Sequence, residues 1–281
     1  MTDYEILLRP RFELLPTKGA EEQADHLPRD AKVAVTCSPT KGIESTLRFS
    51  EKLLQRGFRV VPHIAARLVA DRAHLEKILR WFDEHSLREI HVIGGDSTEP
   101  VGPYASAFEL LSAMSRLEHG VEEIGIGGYP DGHPLIDDEE LDRALVDKQP
   151  FASYVVTQLC FDADAILAWI SDIRHRGIRL PVYVGLPGVV DRKKLLQVSL
   201  KVGVGDSARF LKKQSGLVGM LLKPGGYSPD ELVEKLAPYA GDGHYDIAGV
   251  HLYTFNQVES TERWRQRMLV PKEASGTGAP R

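Results

Sequence analysis

The stretch KVAVTCSPTKGIESTLRFSEKLLQRGFRVVPHIA, residues 32–65, holds two short apolar runs separated by a helical pattern. The runs 32–38 and 58–65 are rich in β-branched residues and almost continuously apolar, which is typical of strands that are covered on both faces. Residues 42–57 between them repeat apolar side chains with helical spacing and end at a glycine. Strand, helix and strand in this order predict one βαβ unit of a parallel sheet.

The same alternation runs through the whole chain. Further apolar runs, separated by helical patterns, occupy residues 11–16, 89–96, 123–130, 153–161, 180–188 and 248–256. Eight strands in about 250 residues predict an α/β fold, a (β/α)8 TIM barrel, as a single domain over residues 1–270. We also expect extra helices before the last strand, within residues 189–247, and a disordered tail at 271–281, which is polar and rich in Gly and Pro.

The competing fold is a doubly wound nucleotide-binding sheet, which carries a G-x-G-x-x-G motif directly after a strand. The best match, Gly203, Gly205 and Ala208, follows a helical pattern instead. The barrel is therefore the fold that the pattern favours.

Composition excludes several classes of function. The formal charge of −5 gives no basic excess for nucleic acid, and no stretch of 18 apolar residues could span a membrane. The N-terminal segment lacks the apolar core of a signal peptide, and the two cysteines, Cys37 and Cys160, lie far apart. We therefore expect a cytoplasmic protein without disulfides, and a homo-oligomer stays open.

Polar residues stand where the predicted strands end. In a barrel, such positions converge on one mouth, which is where active sites form. These residues are Glu13, Thr36, His63, Asp96, Tyr129, Gln158 and Asn256. Each also has a purely structural interpretation, as a turn residue, a helix cap or a hydrogen-bonded core residue. For Glu13, which lies between Phe12 and Leu14, the structural alternative is an ion pair with Arg9 or Arg11.

No spacing typical of metal ligands occurs, so we expect no metal site. The sequence also lacks a nucleophile elbow and a phosphate-binding loop of the Walker type. Carboxylates, amides and aromatic groups without a metal or nucleophile suit proton transfer beside an organic cofactor.

At these strand ends the sequence resembles the methylenetetrahydrofolate reductase family. The family motifs F-E-[FV]-x-P, S-V-T-x-G, P-H-L, R-G-D, Y-P-E-x-H-P, T-Q-x-x-F-D and H-F-Y-T-L-N are similar to segments of this chain. Those segments are, in the same order, 12–16, 34–38, 62–64, 94–96, 129–134, 157–162 and 251–256. The ordered set extends over nearly the whole chain.

The resemblance implies FAD bound at the mouth of a (β/α)8 barrel, and reduction of 5,10-methylenetetrahydrofolate to 5-methyltetrahydrofolate with NAD(P)H as co-substrate. That reaction belongs to one-carbon metabolism, and the sequence leaves open whether it serves methionine supply or the recycling of folate-borne methyl groups. The roles that the resemblance implies fall into three groups. The catalytic group is Glu13 as general acid, Asp96 as stabiliser of the cationic intermediate, and Gln158 as hydrogen-bond partner of folate and flavin. The FAD contacts are Thr36, His63, Asp96, Tyr129 and, at the phosphates, Lys148. The folate contacts are Gln158, Asn256 and Gln257.

Two positions depart from the family pattern. The family arginine before the G-D pair is Gly94 here, and the arginine after the closing asparagine is Gln257. A flavin-independent reductase of a methylene-pterin, and a folate-binding accessory protein of a C1-transfer system, therefore stay open. Retention of Glu13 argues against the accessory protein, because binding alone does not require an acid. The sequence does not decide between NADH and NADPH.

Overall fold

The computed structural model describes residues 4–190 and 228–270. Eight parallel strands close into a barrel in chain order, each paired with the next and β8 with β1. The strands are β1 (Arg11–Leu14), β2 (Lys32–Val35), β3 (Arg59–Ala65), β4 (Glu89–Ile93), β5 (Glu123–Gly128), β6 (Tyr154–Thr157), β7 (Val182–Pro187) and β8 (Ile247–Tyr253). The predicted (β/α)8 barrel is confirmed.

Among the described residues, eight α-helices surround the strands. They are α1 (Ala20–Gln23), α2 (Gly42–Gln55), α3 (Arg72–Glu84), α4 (Ala107–Met114), α5 (Asp138–Lys148), α6 (Ala163–His175), α7 (Asp230–Leu236) and α8 (Val258–Leu269). Helix α7 falls inside the segment expected to carry extra helices before β8. The remainder of that expectation, residues 191–227, and the expected tail at 271–281 lie outside the described residues.

Local sequence signals place the helix ends. Asp71 caps α3, since its side chain accepts a hydrogen bond from the His74 amide at 2.7 Å. Ser106 and Glu109 form a capping box at the start of α4. Helix α6 is followed by Gly177 at φ +86°, a conformation that glycine adopts without steric cost.

Alternate side chains of each strand point in opposite directions, so each strand divides its residues between the barrel interior and the helices. Phe12, Leu14, Val33 and Val35 belong to the buried apolar core of the protein. Burial of one such side chain contributes roughly 1.5–3 kcal/mol. Arg11 and Glu13 on β1 therefore point inward, and so do Glu89 and His91 on β4, and His251 and Tyr253 on β8.

A polar cluster closes the amino-terminal end of the barrel. The Arg11 guanidinium lies between the rings of Tyr154 and Tyr183, 4.1 Å and 4.0 Å from their centroids. It donates to the Tyr154 hydroxyl at 3.1 Å and pairs with Glu89, which also accepts from Lys32 at 2.5 Å. Arg11 thus pairs with Glu89 rather than with Glu13.

None of the helices in residues 4–190 and 228–270 is long and apolar enough to cross a bilayer. Cys37 and Cys160 are both buried and both free, as their separation in the sequence predicts.

Candidate active site

Glu13 lies in the barrel interior beside His251. Its side chain is only 8% exposed, and its Oε2 atom lies 3.2 Å from Nε2 of His251. The Thr254 hydroxyl donates to the main-chain carbonyl of Glu13 at 2.6 Å and fixes the backbone from which the carboxyl projects. Burial raises the pKa of Glu13 to about 7, against a smaller opposite influence of His63. This carboxyl therefore holds a proton near neutral pH, as a general acid requires.

Three histidines form a layer around this carboxyl. His63 on β3 and His91 on β4 are directly paired in register, and their ring centroids lie 4.6 Å apart. The rings of His63 and His251 lie 6.2 Å apart. Burial lowers the pKa of His63 to about 4 and that of His251 to about 3, and it holds the pKa of His91 well below its ordinary value. All three imidazoles are therefore neutral at neutral pH, and Glu13 is the group in this layer that titrates there.

The carboxylate of Glu13 and the imidazoles of His63 and His251 bring ligand-type atoms within 4.8 Å of one another. One carboxylate and two imidazoles can also bind a divalent ion. Glu13 and His251 already satisfy each other at hydrogen-bond distance, and the sequence shows no metal-ligand spacing. We therefore treat this group as an acid site, and the absence of a metal stays a prediction.

Four other predicted residues lie where the strands end at the mouth. The Thr36 hydroxyl donates to the Leu14 carbonyl at 3.3 Å, and the Gln158 side chain accepts from the Leu159 amide at 2.8 Å. Asp96 is exposed in the loop after β4. Burial, and to a smaller extent the charge of Asp96, raises the pKa of Tyr129. Asp96 and Tyr129 therefore lie within electrostatic range of each other.

Asn256 and Gln257 are bound into the loop between β8 and α8. The Asn256 amide group bonds to the main chain of Leu15 and to the Thr17 hydroxyl. The Gln257 carbonyl accepts from the Thr261 hydroxyl at 2.9 Å in the first turn of α8. Both residues lie at the mouth, and their contact with folate stays a prediction.

Lys148 is the one predicted residue that lies apart from the mouth. It is the last residue of α5, where the chain turns toward the start of β6, and thus belongs to the amino-terminal end of the barrel. It is buried, and burial lowers its pKa to about 8. The structure does not bring Lys148 together with Thr36 and Tyr129.

Sequence reasoning assigned no role to His91, His251 and Tyr253, which line the same interior. The Tyr253 hydroxyl reaches across the barrel to the Thr157 carbonyl at 3.0 Å. The signal that could have identified them is a period of two: a polar residue at every second position of an otherwise apolar strand points into the barrel.

Comparison with known proteins bears on this site. The sequence model of the family described as "Methylenetetrahydrofolate reductase" matches residues 24–267. The chain belongs to that family. The match begins directly after α1 and ends within α8, and thus includes seven of the eight strands; Glu13 on β1 lies before its first residue.

Curated relatives carry the same family name. "Methylenetetrahydrofolate reductase 1" of Schizosaccharomyces pombe is 34% identical over 120 residues, which are 40% of this chain and 20% of the relative. "Probable methylenetetrahydrofolate reductase (NADPH)" of Caenorhabditis elegans is 25% identical over 204 residues, 68% of this chain and 29% of the relative. "Methylenetetrahydrofolate reductase (NADH) 1" of Arabidopsis thaliana is 27% identical over 215 residues, 67% of this chain and 36% of the relative. The chain therefore spans about a third or less of the length of these relatives.

A solved structure, a chitinase from Bacteroides thetaiotaomicron, has a TM-score of 0.55 and covers 97% of this chain and 100% of its own, at 10% sequence identity. At that identity the likeness concerns the barrel fold alone.

The mouth offers a bare surface to a flat ring such as a flavin. A Cβ atom at Gly94 would meet nothing within 4 Å, so the main chain stands open there. Gly95 adopts φ +97°, where an L side chain is strained, and a Cβ atom there would come within 2.9 Å of Ala65. The open main chain at Gly94 thus fits the ring of the cofactor that the family resemblance implies, whereas Gly95 meets the conformational and packing requirement of the turn against Ala65.

The pyrophosphate of a dinucleotide needs cations, and the described loops at the mouth supply few. In these residues the loops between strands and helices carry Lys18, Lys41 and Arg67. Lys41 donates to the Pro16 carbonyl at 2.6 Å. Arg67 donates to the carbonyls of Ser97, Thr98 and Ala105 at 2.9–3.0 Å. Two of the three cations thus tie loops together, and the described residues do not fit a pyrophosphate.

Proposed function

We propose that this chain reduces 5,10-methylenetetrahydrofolate to 5-methyltetrahydrofolate with NAD(P)H, and that Glu13 is the general acid. The observation that carries the proposal is a carboxyl that is buried in the barrel interior, hydrogen-bonded to a neutral histidine, and protonated near neutral pH. Membership of the family supports the substrate class.

The chemistry requires one proton and one hydride. The bond between N10 and the methylene carbon breaks, the proton goes to N10, and the resulting N5 iminium ion accepts a hydride at its carbon. Glu13 suits the first step because a neutral carboxyl in an apolar interior donates a proton readily at neutral pH. Asp96, exposed in the loop after β4, is the proposed counter-charge for the iminium ion. Gln158 is the proposed hydrogen-bond partner of the pterin ring.

FAD as hydride carrier is the finer part of the proposal, with Thr36, His63 and Tyr129 as its contacts. The open main chain at Gly94 supports a bound flavin ring. The second candidate is direct hydride transfer from NAD(P)H to the folate. It is favoured by the engagement of Lys41 and Arg67 with main-chain carbonyls, because a transient co-substrate needs fewer phosphate contacts than a resident dinucleotide.

The activity is tested by incubating the purified chain with methylenetetrahydrofolate and NADH or NADPH, and by identifying 5-methyltetrahydrofolate by mass spectrometry. Glu13→Gln keeps the shape of the side chain but has no acidic proton. We expect it to lower turnover by about 10²–10⁴-fold, the range of general acid catalysis. Glu122→Gln, the same change at an exposed position, is the matched control and should leave turnover unchanged. Equal turnover of Glu13→Gln and the control would reject Glu13 as the acid.

The carrier is tested by the absorbance spectrum of the purified protein and by titration with FAD. Saturable binding, with turnover that depends on added FAD, supports the flavin-dependent reaction. Turnover of flavin-free protein that FAD does not increase supports direct transfer.

A further inference from the structure

The contact between Glu13 and His251 involves only one of the two ring nitrogens of the histidine. The two atoms that meet are Oε2 and Nε2, 3.2 Å apart, and the side chains are 8% and 2% exposed. The other ring nitrogen of His251, Nδ1, is buried and has no hydrogen-bond partner. The imidazole is therefore held through one of its two nitrogens.

This asymmetry decides which nitrogen carries the hydrogen. A neutral imidazole has one N–H donor and one bare nitrogen that accepts. If Nδ1 carried the hydrogen, a buried donor would be left unsatisfied, at the full desolvation penalty of that group. If Nε2 carries it, the donor is satisfied by Oε2, and the atom left alone is a bare acceptor. The structure thus favours the tautomer with hydrogen on Nε2.

The tautomer in turn decides which oxygen of Glu13 carries the acid proton. An Nε2–H that donates to Oε2 occupies that oxygen as an acceptor, so the carboxyl proton resides on Oε1. Within the proposed function, on which this inference rests, Oε1 is then the atom that delivers the proton. We propose that His251 is the positioning residue of the acid, a hydrogen-bond donor to Oε2 that keeps the transferable proton on Oε1.

The charged and titratable groups around the pair come from four strands. His63 and His91 face the pair from β3 and β4. Arg11 lies two residues before Glu13 on β1, and Tyr253 lies two residues after His251 on β8. Arg11 is held by Glu89 and by two tyrosine rings, so its charge is already compensated. His251 is therefore the donor that the Glu13 carboxyl meets in the described structure.

The tautomer is measured directly by long-range ¹H–¹⁵N correlation on protein labelled at histidine, because protonated and bare ring nitrogens resonate far apart. The His251 signals are assigned by their loss in His251→Gln. We expect Nε2 protonated and Nδ1 bare at neutral pH. A His251 that is protonated on Nδ1, or on both nitrogens, overturns the inference. This measurement needs no turnover, so it stands or falls independently of the proposed activity.

The effect on the acid is measured by the pH profile of turnover in two variants. His251→Phe keeps a ring but removes the donor to Oε2. We expect the limb on which turnover falls with rising pH to move up by about one pH unit, because an ionised Glu13 loses one hydrogen bond. We also expect a roughly tenfold drop in kcat with little change in KM for the folate.

His251→Gln restores an N–H donor and should return the limb to its parental position. A merely structural role predicts that both variants lose melting temperature and keep the parental limb. If turnover of His251→Phe falls over the same pH range as that of the parent and still depends on Glu13, this inference is overturned. The proposed function is then left intact.

Discussion

The side chain of Asn256 forms hydrogen bonds with both main-chain groups of Leu15, the amide and the carbonyl. The Leu15 amide donates to Oδ1 of Asn256 at 2.9 Å, and Nδ2 of Asn256 donates to the Leu15 carbonyl at 3.0 Å. A second hydrogen of Nδ2 reaches the Thr17 hydroxyl at 2.7 Å. The side chain thus replaces a strand partner for the chain leaving β1, and it joins the first and last loops of the mouth.

Asn256→Asp should destabilise the protein, because it keeps the acceptor for the Leu15 amide but removes both donors. We expect a loss of about 1–3 kcal/mol of unfolding free energy, measured by urea denaturation. Asn256→Gly is the companion variant, since glycine accepts the φ of +60° found here and isolates the loss of the side chain from backbone strain. An unchanged stability with a raised KM for the folate would instead support the predicted substrate contact.

Glu13→Gln should change the pH dependence of stability. The pKa of Glu13 rises from an ordinary value of 4.5 to about 7 on folding. At pH below 4.5 both states hold the proton; between pH 4.5 and about 7 the unfolded chain ionises first, so stability is lost as pH rises. Above pH 7 the loss reaches at most about 3 kcal/mol.

His63 and His251 act in the opposite direction, because their lowered pKa values cost stability as pH falls below 6.5. Urea unfolding at acidic and alkaline pH isolates Glu13 by comparison with its variant. Glu13→Gln should be more stable than the parent on the alkaline side and nearly equal to it on the acidic side. The exposed control Glu122→Gln should follow the parent at every pH. A constant difference between parent and Glu13→Gln would contradict a raised pKa.

Turnover should decline as pH rises through about 7, because the proposed reaction needs the protonated form of Glu13. The measurement is kcat against pH at saturating folate and nicotinamide. In Glu13→Gln, whatever turnover remains should lack this limb. A parental profile that stays flat from the acidic to the alkaline side would exclude an acid with this pKa.

Lys148→Met should stabilise the protein and leave cofactor binding unchanged. Burial lowers the pKa of Lys148 from 10.5 to about 8, so stability is lost as pH falls from 10.5 toward 8 and stays lost at neutral pH. Replacement by an apolar chain of similar length removes a penalty of at most about 3 kcal/mol. Lys77→Met, at an exposed position of α3, is the control. Weaker binding of FAD or NAD(P)H by Lys148→Met would support the phosphate contact that the sequence predicts.

Dialysis against EDTA should leave turnover unchanged, because in the proposed function Glu13 acts as an acid and needs no metal ion. The measurement compares treated and untreated protein in metal-free buffer. Loss of turnover that Zn²⁺ restores would refute this and would make the carboxylate and imidazoles within 4.8 Å of one another a metal site.

The strand and helix order could be predicted because it rests on local pattern. Asp71 as a helix cap and the eight strands both follow from residues close together in sequence. Glu13 could be singled out because a carboxylate between the apolar residues Phe12 and Leu14 is costly to bury in a strand. Its partner could not be identified, since His251 follows 238 residues later and the two meet only when β8 closes against β1.

The polar layers inside the barrel could not be predicted, because the strands were recognised by their nearly continuous apolar character. In strands covered on both faces, Arg11, His91 and His251 interrupt apolar runs, and only their spacing at alternate positions indicates that they point into the barrel. Lys148 was assigned its phosphate contact by the family resemblance, which says nothing about the end of the barrel at which the residue lies. The antiparallel course of α5 carries that position to the opposite end of the barrel.

The Arg11 guanidinium closes the amino-terminal end of the barrel. It is stacked between the rings of Tyr154 and Tyr183 and is paired with Glu89. Whatever reaches Glu13 enters by the mouth and leaves by it. In the proposed reaction, the hydride donor and the folate would reach Glu13 through the same opening, either in turn or bound face to face. Each product of the proposed reaction would then compete with the next reactant for this opening, and the order of product release would govern the turnover rate.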